Sequence, residues 1–283
     1  MEQLSFQTKQ QRSLKPVLKW AGGKRQLLSR IRPYIPDSVA LYVEPFLGGA
    51  AVLLDLQPDR ALISDSNPEL INVYRVIRDN PLELIESLRE HQAHDSSDYY
   101  YEIRSMDRDE SFAKVDSITR AARIIYLNKT CYNGLYRVNS SGQLNVPYGR
   151  YKNPRIVESA DIIALSNYLN GDITIRCCDY ADALKNLPEG SFVYLDPPYM
   201  PISESASFTG YTESGFAYKE QVKLRDECKK LRDNGIAFLE SNSDCKEIRE
   251  LYRGFSINTV KARRSINSRG DARGMTDEVL ITA

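Results

Sequence analysis

The chain has 283 residues, enough for one large domain or two ordinary ones with ample core. Lysine plus arginine and aspartate plus glutamate number 38 each, which excludes a wholly basic nucleic-acid coat while leaving local clusters able to bind phosphate. No apolar run is long enough to span a bilayer, and the Gln-rich residues 1–13 carry no apolar signal segment, so a loosely ordered tail and a cytoplasmic protein are expected.

In chain order, the first distinctive block is Lys19-Trp20-Ala21-Gly22-Gly23-Lys24-Arg25, which holds the only tryptophan. Lys24 suits a carboxylate ligand and Trp20 a cover over it. A P-loop is excluded, because the spaced first glycine and the Ser/Thr after lysine are missing. Apolar runs at 41–43 and 61–63 read as strands. The first leads into Glu44-Pro45-Phe46-Leu47-Gly48-Gly49-Ala50, a strand-to-helix turn whose glycines let a ligand approach the backbone. The G-x-G-x-x-G fingerprint of dinucleotide enzymes is absent, so a cofactor without a pyrophosphate, such as S-adenosylmethionine, fits better than NAD. The second strand ends in Ser64-Asp65-Ser66-Asn67-Pro68. Asp65 is the expected ribose ligand, and a helix N-cap is the competing use of either Asp65 or Asn67.

From about residue 68 to 169 the signals are helical, at 70–78, 82–88, 118–128 and 162–169, around a turn-rich stretch at 132–154. Strands return at 173–175, 192–195, 236–239, 255–260 and 279–282, and helical spacing recurs at Leu224, Cys228 and Leu231 and at Ile248, Leu251 and Tyr252. The expected fold is therefore α/β, a mostly parallel sheet covered on both faces, interrupted by a helical insertion. Asp179 follows the third strand and suits a cofactor's adenine amine, with a plain surface turn as the alternative. The scattered cysteines at 131, 177, 178, 228 and 245 form no C-x-x-C, which argues for reduced thiols and against structural zinc. His91 and His94 read as a solvated helix face, and no metal is expected.

Asp196-Pro197-Pro198-Tyr199 closes the fourth strand. An aromatic exocyclic amine is a poor nucleophile, because its lone pair is delocalised into the ring. A carboxylate and a backbone carbonyl that accept its two hydrogens favour the pyramidal, nucleophilic form. Consecutive prolines fix φ and remove competing donors, and Tyr199 offers a stacking face.

These blocks, in this order, resemble the α group of amino-methyltransferases, and specifically the Dam-type DNA adenine-N6 methyltransferases, whose family target is GATC. Further matching blocks are Tyr132-Asn133-Gly134-Leu135-Tyr136-Arg137, residues 145–152, Phe208-Thr209-Gly210-Tyr211 and Arg263-Arg264-Ser265-Ile266. The resemblance implies a Rossmann-like methyltransferase core formed by 1–67 and 170–283, with 68–169 as an inserted target-recognition domain. It implies S-adenosylmethionine as cofactor, held by Trp20, Lys24, Asp65 and Asp196, with Glu44, Phe46, Gly48 and Asp179 added from the residue reading. It implies double-stranded DNA as partner and Asp196, Pro197, Pro198 and Tyr199 around a flipped adenine. Lys19, Leu135, Arg137 and Pro147 would read flanking bases, and Tyr132 and Asn133 would fill the gap. Arg150, Lys152 and Arg155, with Arg263, Arg264, Arg269 and Arg273, suit phosphate contacts. The alternatives are the same chemistry on cytosine N4, an RNA adenine or a protein glutamine, or a catalytically silent DNA-binding module. A companion restriction nuclease and solitary action are both compatible with the sequence, and one active site needs only one chain.

Overall fold

The computed structural model describes residues 13–201, 216–263 and 275–283. The block at 208–211 and residues 264–274, with Arg264, Arg269 and Arg273, lie outside the described residues. Seven strands form one sheet: β1 (Leu41–Glu44), β2 (Arg60–Asp65), β3 (Asp172–Cys177), β4 (Ser191–Leu195), β5 (Ala237–Ser243), β6 (Ser256–Arg263) and β7 (Met275–Thr282). Their order is β3-β2-β1-β4-β5-β7-β6, parallel throughout except for β7, which runs antiparallel to both neighbours. The chain moves outward from β1 to β3 and then returns to lay β4 on the other side of β1. The carboxyl ends of β1 and β4 therefore flank a topological switch point, where open α/β sheets bind ligands.

The strand pattern follows from burial. β4 is buried along its whole length, and alternate residues serve opposite faces: Phe192 and Tyr194 enter one apolar cluster, Val193 and Leu195 the other. β5 continues past its apolar run into Glu240, Ser241, Asn242 and Ser243, all at most 2% exposed. Four consecutive buried polar residues require partners, and the adjoining site supplies them.

The helices are α1 (Leu28–Ile31), α2 (Ala51–Leu56), α3 (Pro68–Asp79), α4 (Pro81–His94), α5 (Ser97–Ser105), α6 (Ser117–Thr130), α7 (Ser159–Leu169), α8 (Tyr180–Ala183), α9 (Tyr218–Asp233) and α10 (Lys246–Leu251). Pro68 opens α3 at a position that needs no N–H, while the Asn67 side chain accepts from Glu69 N and Leu70 N at 3.0 and 3.1 Å. Leu224, Cys228 and Leu231 of α9 and Ile248 of α10 cover one face of the sheet. Buried residues of α3, α4, α6 and α7 join the cluster on the other face.

One expectation is corrected inside this helical segment. His91 is not on a solvated face: it is 7% exposed, its ring stacks on Tyr126 at 4.9 Å, and Nδ1 lies 2.8 Å from the Tyr99 hydroxyl. The packing of α4 on α6 brings a flat aromatic against the imidazole, which outweighs its polarity. His94 does face solvent, its Nδ1 donating to Glu90 O at 2.8 Å. Helix α5 was not anticipated, because Tyr99, Tyr100 and Tyr101 in succession hide the helical period; the Ser96 hydroxyl starts it by accepting from Tyr99 N at 3.2 Å.

Candidate active site and DNA-reading face

Trp20, Glu44, Phe46, Gly48, Asp65, Asp179 and Asp196 all lie at or beside the carboxyl ends of β1 to β4, with Lys24 reaching in from the segment before β1. Lys24 is 5% exposed, and its ammonium group donates to Gly22 O at 2.6 Å and pairs with Asp196 Oδ1 at 2.7 Å. The same nitrogen stands 4.7 Å from the centre of the Tyr199 ring, so cation, carboxylate and aromatic face form one cluster. Asp196 Oδ1 also accepts from the Ser241 hydroxyl at 3.0 Å. Burial pushes the Asp196 carboxyl up from its ordinary range, against the opposing pull of Lys24 and Ser241. Its side chain nevertheless keeps 20% of its surface open, enough for a ligand to reach it.

The loop after Asp196 lacks two backbone donors, because Pro197 and Pro198 have no N–H. Its conformation is held from neighbouring elements: Gln221 Nε2 donates to Pro198 O at 2.8 Å, Met200 N to Asn242 Oδ1 at 3.2 Å, and the Ser243 hydroxyl to Met200 O at 2.7 Å. The Tyr199 hydroxyl donates to Glu278 Oε2 of β7 at 2.9 Å. Among the described residues, no donor reaches Pro197 O or Asp196 Oδ2. Gln221, Ser241, Asn242 and Glu278 were not singled out from the sequence. For Ser241 and Asn242 the available signal was the change from apolar to polar residues inside β5, at the sheet end where ligands bind.

Asp65 accepts from Gly48 N at 3.1 Å through Oδ2 and from Asn67 N at 3.0 Å through Oδ1, which ties the tips of β1 and β2 together. Burial raises its pKa against these bonds. Asn67, not Asp65, caps α3, so the carboxylate is not consumed by the helix. Gly48 has φ +47°, and an added Cβ would stand 2.8 Å from Trp20 Cδ1. The indole needs that glycine in order to pack flat against the turn. Phe46 stacks on Tyr180 at 5.1 Å and meets the edge of Phe216 at 5.8 Å. Asp179 is exposed and caps α8, its Oδ1 accepting from Ala181 N at 2.9 Å. Glu44 is fully enclosed: its Oε2 accepts from the Tyr42 hydroxyl at 2.7 Å and from Leu53 N at 3.1 Å. Burial pushes it up to about 8.

The remaining candidates assemble on a second face. Cys131 bridges Tyr148 and Val138 bridges Leu144, both antiparallel, which folds residues 131–148 into a hairpin-like ribbon. Leu144 and Val146 point inward at 7% and 2% exposure, leaving the alternate residues Asn145 and Pro147 on the outer side. Tyr132 is 55% exposed, and Asn133 beside it adopts φ 57°, a left-handed conformation that asparagine tolerates. Arg137 is exposed but oriented: its Nε donates to Asn145 Oδ1 at 2.7 Å and an Nη2 hydrogen to Asn145 O at 3.2 Å, leaving Nη1 outward. Lys19 is exposed with its ammonium 5.8 Å from the Tyr151 ring centre, and Arg150, Lys152 and Arg155 are exposed nearby in the chain.

The two faces are joined through adjacent residues. Lys19 packs on Gly134 at the ribbon's start, and Trp20 stacks on Tyr136 at 4.7 Å. Asn128 of α6 fastens the junction, accepting from Lys19 N at 2.8 Å and donating to Lys19 O at 2.9 Å and Gly134 O at 3.2 Å.

Known proteins share this organisation at the level of sequence. The description "D12 class N6 adenine-specific DNA methyltransferase" matches residues 20–266. The type II methyltransferase M1.LlaDCHI of Lactococcus lactis subsp. cremoris is 46% identical over 271 residues, covering 95% of each chain. The type II methyltransferase M.MjaIII of Methanocaldococcus jannaschii is 40% identical, covering 92% of this chain and 95% of its own. The DNA adenine methylase of Escherichia coli K12 is 37% identical over 93% of each chain. The family matches most of the chain and these relatives match it over nearly their full length, at 37–46% identity, and the chain belongs to the D12 class of N6 adenine-specific DNA methyltransferases.

Proposed function

We propose that this enzyme transfers the methyl group of S-adenosylmethionine to N6 of an adenine flipped out of double-stranded GATC. The observation that carries the reading is the acceptor pair, Asp196 Oδ2 and Pro197 O, to which no described residue donates, beside the Tyr199 ring, while Asp196 Oδ1, Pro198 O and Met200 O are each held by protein donors. Two acceptors and a stacking face match an amine with two hydrogens on a flat ring.

The residues fit S-adenosylmethionine. Asp65, desolvated and fixed by two backbone N–H groups, suits ribose hydroxyls; Lys24 suits a carboxylate; Trp20 and Phe46 offer aromatic surface, Gly48 close approach of the backbone, and Asp179 an acceptor for an amine. Glu44 supports the turn from beneath and, pushed to about 8, is largely neutral at neutral pH, so it adds little repulsion beside Asp196. When bound, the cofactor supplies a methyl group on a positively charged sulfur that leaves without acid assistance. The protein's part is then orientation. Asp196 and Pro197 O draw on the amine hydrogens, Tyr199 holds the ring, and the low-dielectric surroundings keep both acceptors still.

Residues 68–169 act in this reading as the recognition segment. Arg137 presents its outward N–H groups to guanine O6 and N7, Leu135 touches a thymine methyl, and Lys19 and Pro147 complete the contact. Tyr132 and Asn133 enter the space the adenine vacates, and Arg150, Lys152 and Arg155 hold phosphates. The test is nucleoside mass spectrometry after incubation with S-adenosylmethionine and two duplexes that differ only in GATC. N6-methyladenine confined to the GATC duplex supports the whole proposal. Methylation of both duplexes refutes the specificity, and N4-methylcytosine refutes the target.

A further inference from the structure

Asn242 and Gln221 are each 0% exposed, and neither belongs to the acceptor pair or to any surface a substrate would touch. They nonetheless form a closed hydrogen-bond relay behind the catalytic loop. Asn242 Nδ2 donates one hydrogen to Glu240 Oε1 and one to Gln221 Oε1, both at 3.0 Å. Gln221 Nε2 then donates to Pro198 O at 2.8 Å. Asn242 Oδ1 accepts from Met200 N at 3.2 Å and from Ser243 N at 2.9 Å.

Each amide is fixed in orientation by its partners. Rotating Gln221 by half a turn would set its oxygen against Pro198 O and its nitrogen against Asn242 Nδ2, replacing two attractions by two repulsions. Rotating Asn242 would oppose two backbone N–H groups with a third donor. Glu240 anchors the far end, its second oxygen accepting from the Cys228 thiol at 3.5 Å. A loop with two consecutive prolines has no means of setting the direction of its own carbonyls through local N–H bonds, so the direction must come from outside.

We infer, on the reading that this loop accepts the hydrogens of a target amine, that Gln221 and Asn242 are positioning residues for methyl transfer: by holding the Pro198 carbonyl away from the pocket they leave the Pro197 carbonyl as the one that pairs with Asp196. The relay acts through the loop and contributes to the chemical step, not to binding.

The experiment uses Gln221→Met, which keeps length and loses the donor, with a GATC duplex carrying 2-aminopurine at the target position and a second duplex with adenine there. Expected are affinities for DNA and cofactor and a flipping fluorescence within about twofold of wild type, with single-turnover transfer slowed about 10²-fold by the misplaced acceptor. Transfer within about threefold of wild type in the folded variant overturns the inference. If Gln221→Met fails to fold, Gln221→Glu decides: its protonated carboxyl can donate to Pro198 O and accept from Asn242. Near wild-type transfer at about pH 6 is expected, falling more steeply than wild type toward about pH 8.5 as the new acid ionises beside Glu240 on β5, Cys228 on α9 and Tyr252 after α10. A profile parallel to wild type overturns the inference. Wild-type protein inactive on the adenine duplex would instead overturn the underlying reading, and the inference with it.

Discussion

Replacing Asn128 by alanine tests whether the two faces of the molecule are held by one side chain. Asn128 is 3% exposed and makes three hydrogen bonds, two with the backbone of Lys19 and one with Gly134 O. Each such bond is worth about 1 kcal/mol net, and a buried group left unpaired costs about 1–3 kcal/mol. The loss should therefore be about 2–4 kcal/mol, nearer the lower figure if water enters the vacated volume. For a chain of this size each kcal/mol moves Tm by about 2–4 °C, so Asn128→Ala should melt roughly 4–16 °C lower. Because Lys19 N loses its acceptor, its amide should also exchange faster with solvent, while amides of β4 stay protected. On the proposed reading DNA affinity should weaken more than kcat, since the residues released belong to the proposed reading face and not to the proposed acceptor pair. A Tm within about 1 °C of wild type, or an unchanged Lys19 amide, would refute the assigned role.

Three further outcomes follow. Arg137→Ala should lower discrimination between GATC and a duplex with the contacted guanine replaced by about 1–3 kcal/mol, read as the ratio of kcat/KM values, with little change in folding; an unchanged ratio would remove Arg137 from base reading. Asp196→Ala should abolish transfer while the protein still melts cooperatively, and activity within about tenfold of wild type would refute Asp196 as an acceptor. Burial pushes His91 down from 6.5 to about 4, helped by His94, and its Nε2 finds no partner among the described residues. A depressed histidine stabilises the fold above its unfolded pKa and loses that stabilisation as pH falls, so about 3 kcal/mol should disappear between pH 6.5 and 4. His91→Phe should flatten that part of the urea-denaturation profile, and an equal acid slope in the variant would contradict the burial argument.

The sheet was legible because all seven strands carry apolar runs bounded by turns, and the observed strands extend those runs by one to four residues. The extension of β5 was illegible because residues 240–243 are polar and their burial depends on partners distant in sequence, as with Ser241 on Asp196 and Asn242 on Gln221. The candidate pocket was readable where chemistry is unusual, at Lys24, Asp65 and Asp196. It was unreadable where ordinary residues gain importance by placement. Gln221 sits in a charged amphipathic helix and Asn128 in a helix interior, and nothing in their local spacing distinguishes them from neighbours. His91 was misjudged because the charged residues around it suggested solvent, whereas the ring that covers it belongs to Tyr126, on another helix.

On the proposed reading, the ribbon that carries Arg137 and Pro147 is tempting to treat as a cassette, to be exchanged for another when a new recognition sequence is wanted. Its attachments argue otherwise. Val146 O takes donors from Tyr100 and Arg104 at 2.8 and 3.0 Å, Leu144 N donates to Asp107 at 2.9 Å, and the opposite edge rests on Lys19 and Trp20. A transplanted ribbon would arrive without the helix, the tyrosine and the tryptophan that shape it, and would disturb the packing of Trp20 in the candidate cofactor site on landing. On the proposed reading, retargeting this enzyme is therefore a matter of redesigning three separated stretches of chain in concert, which would give an enzyme of this build a structural reason to keep its recognition sequence.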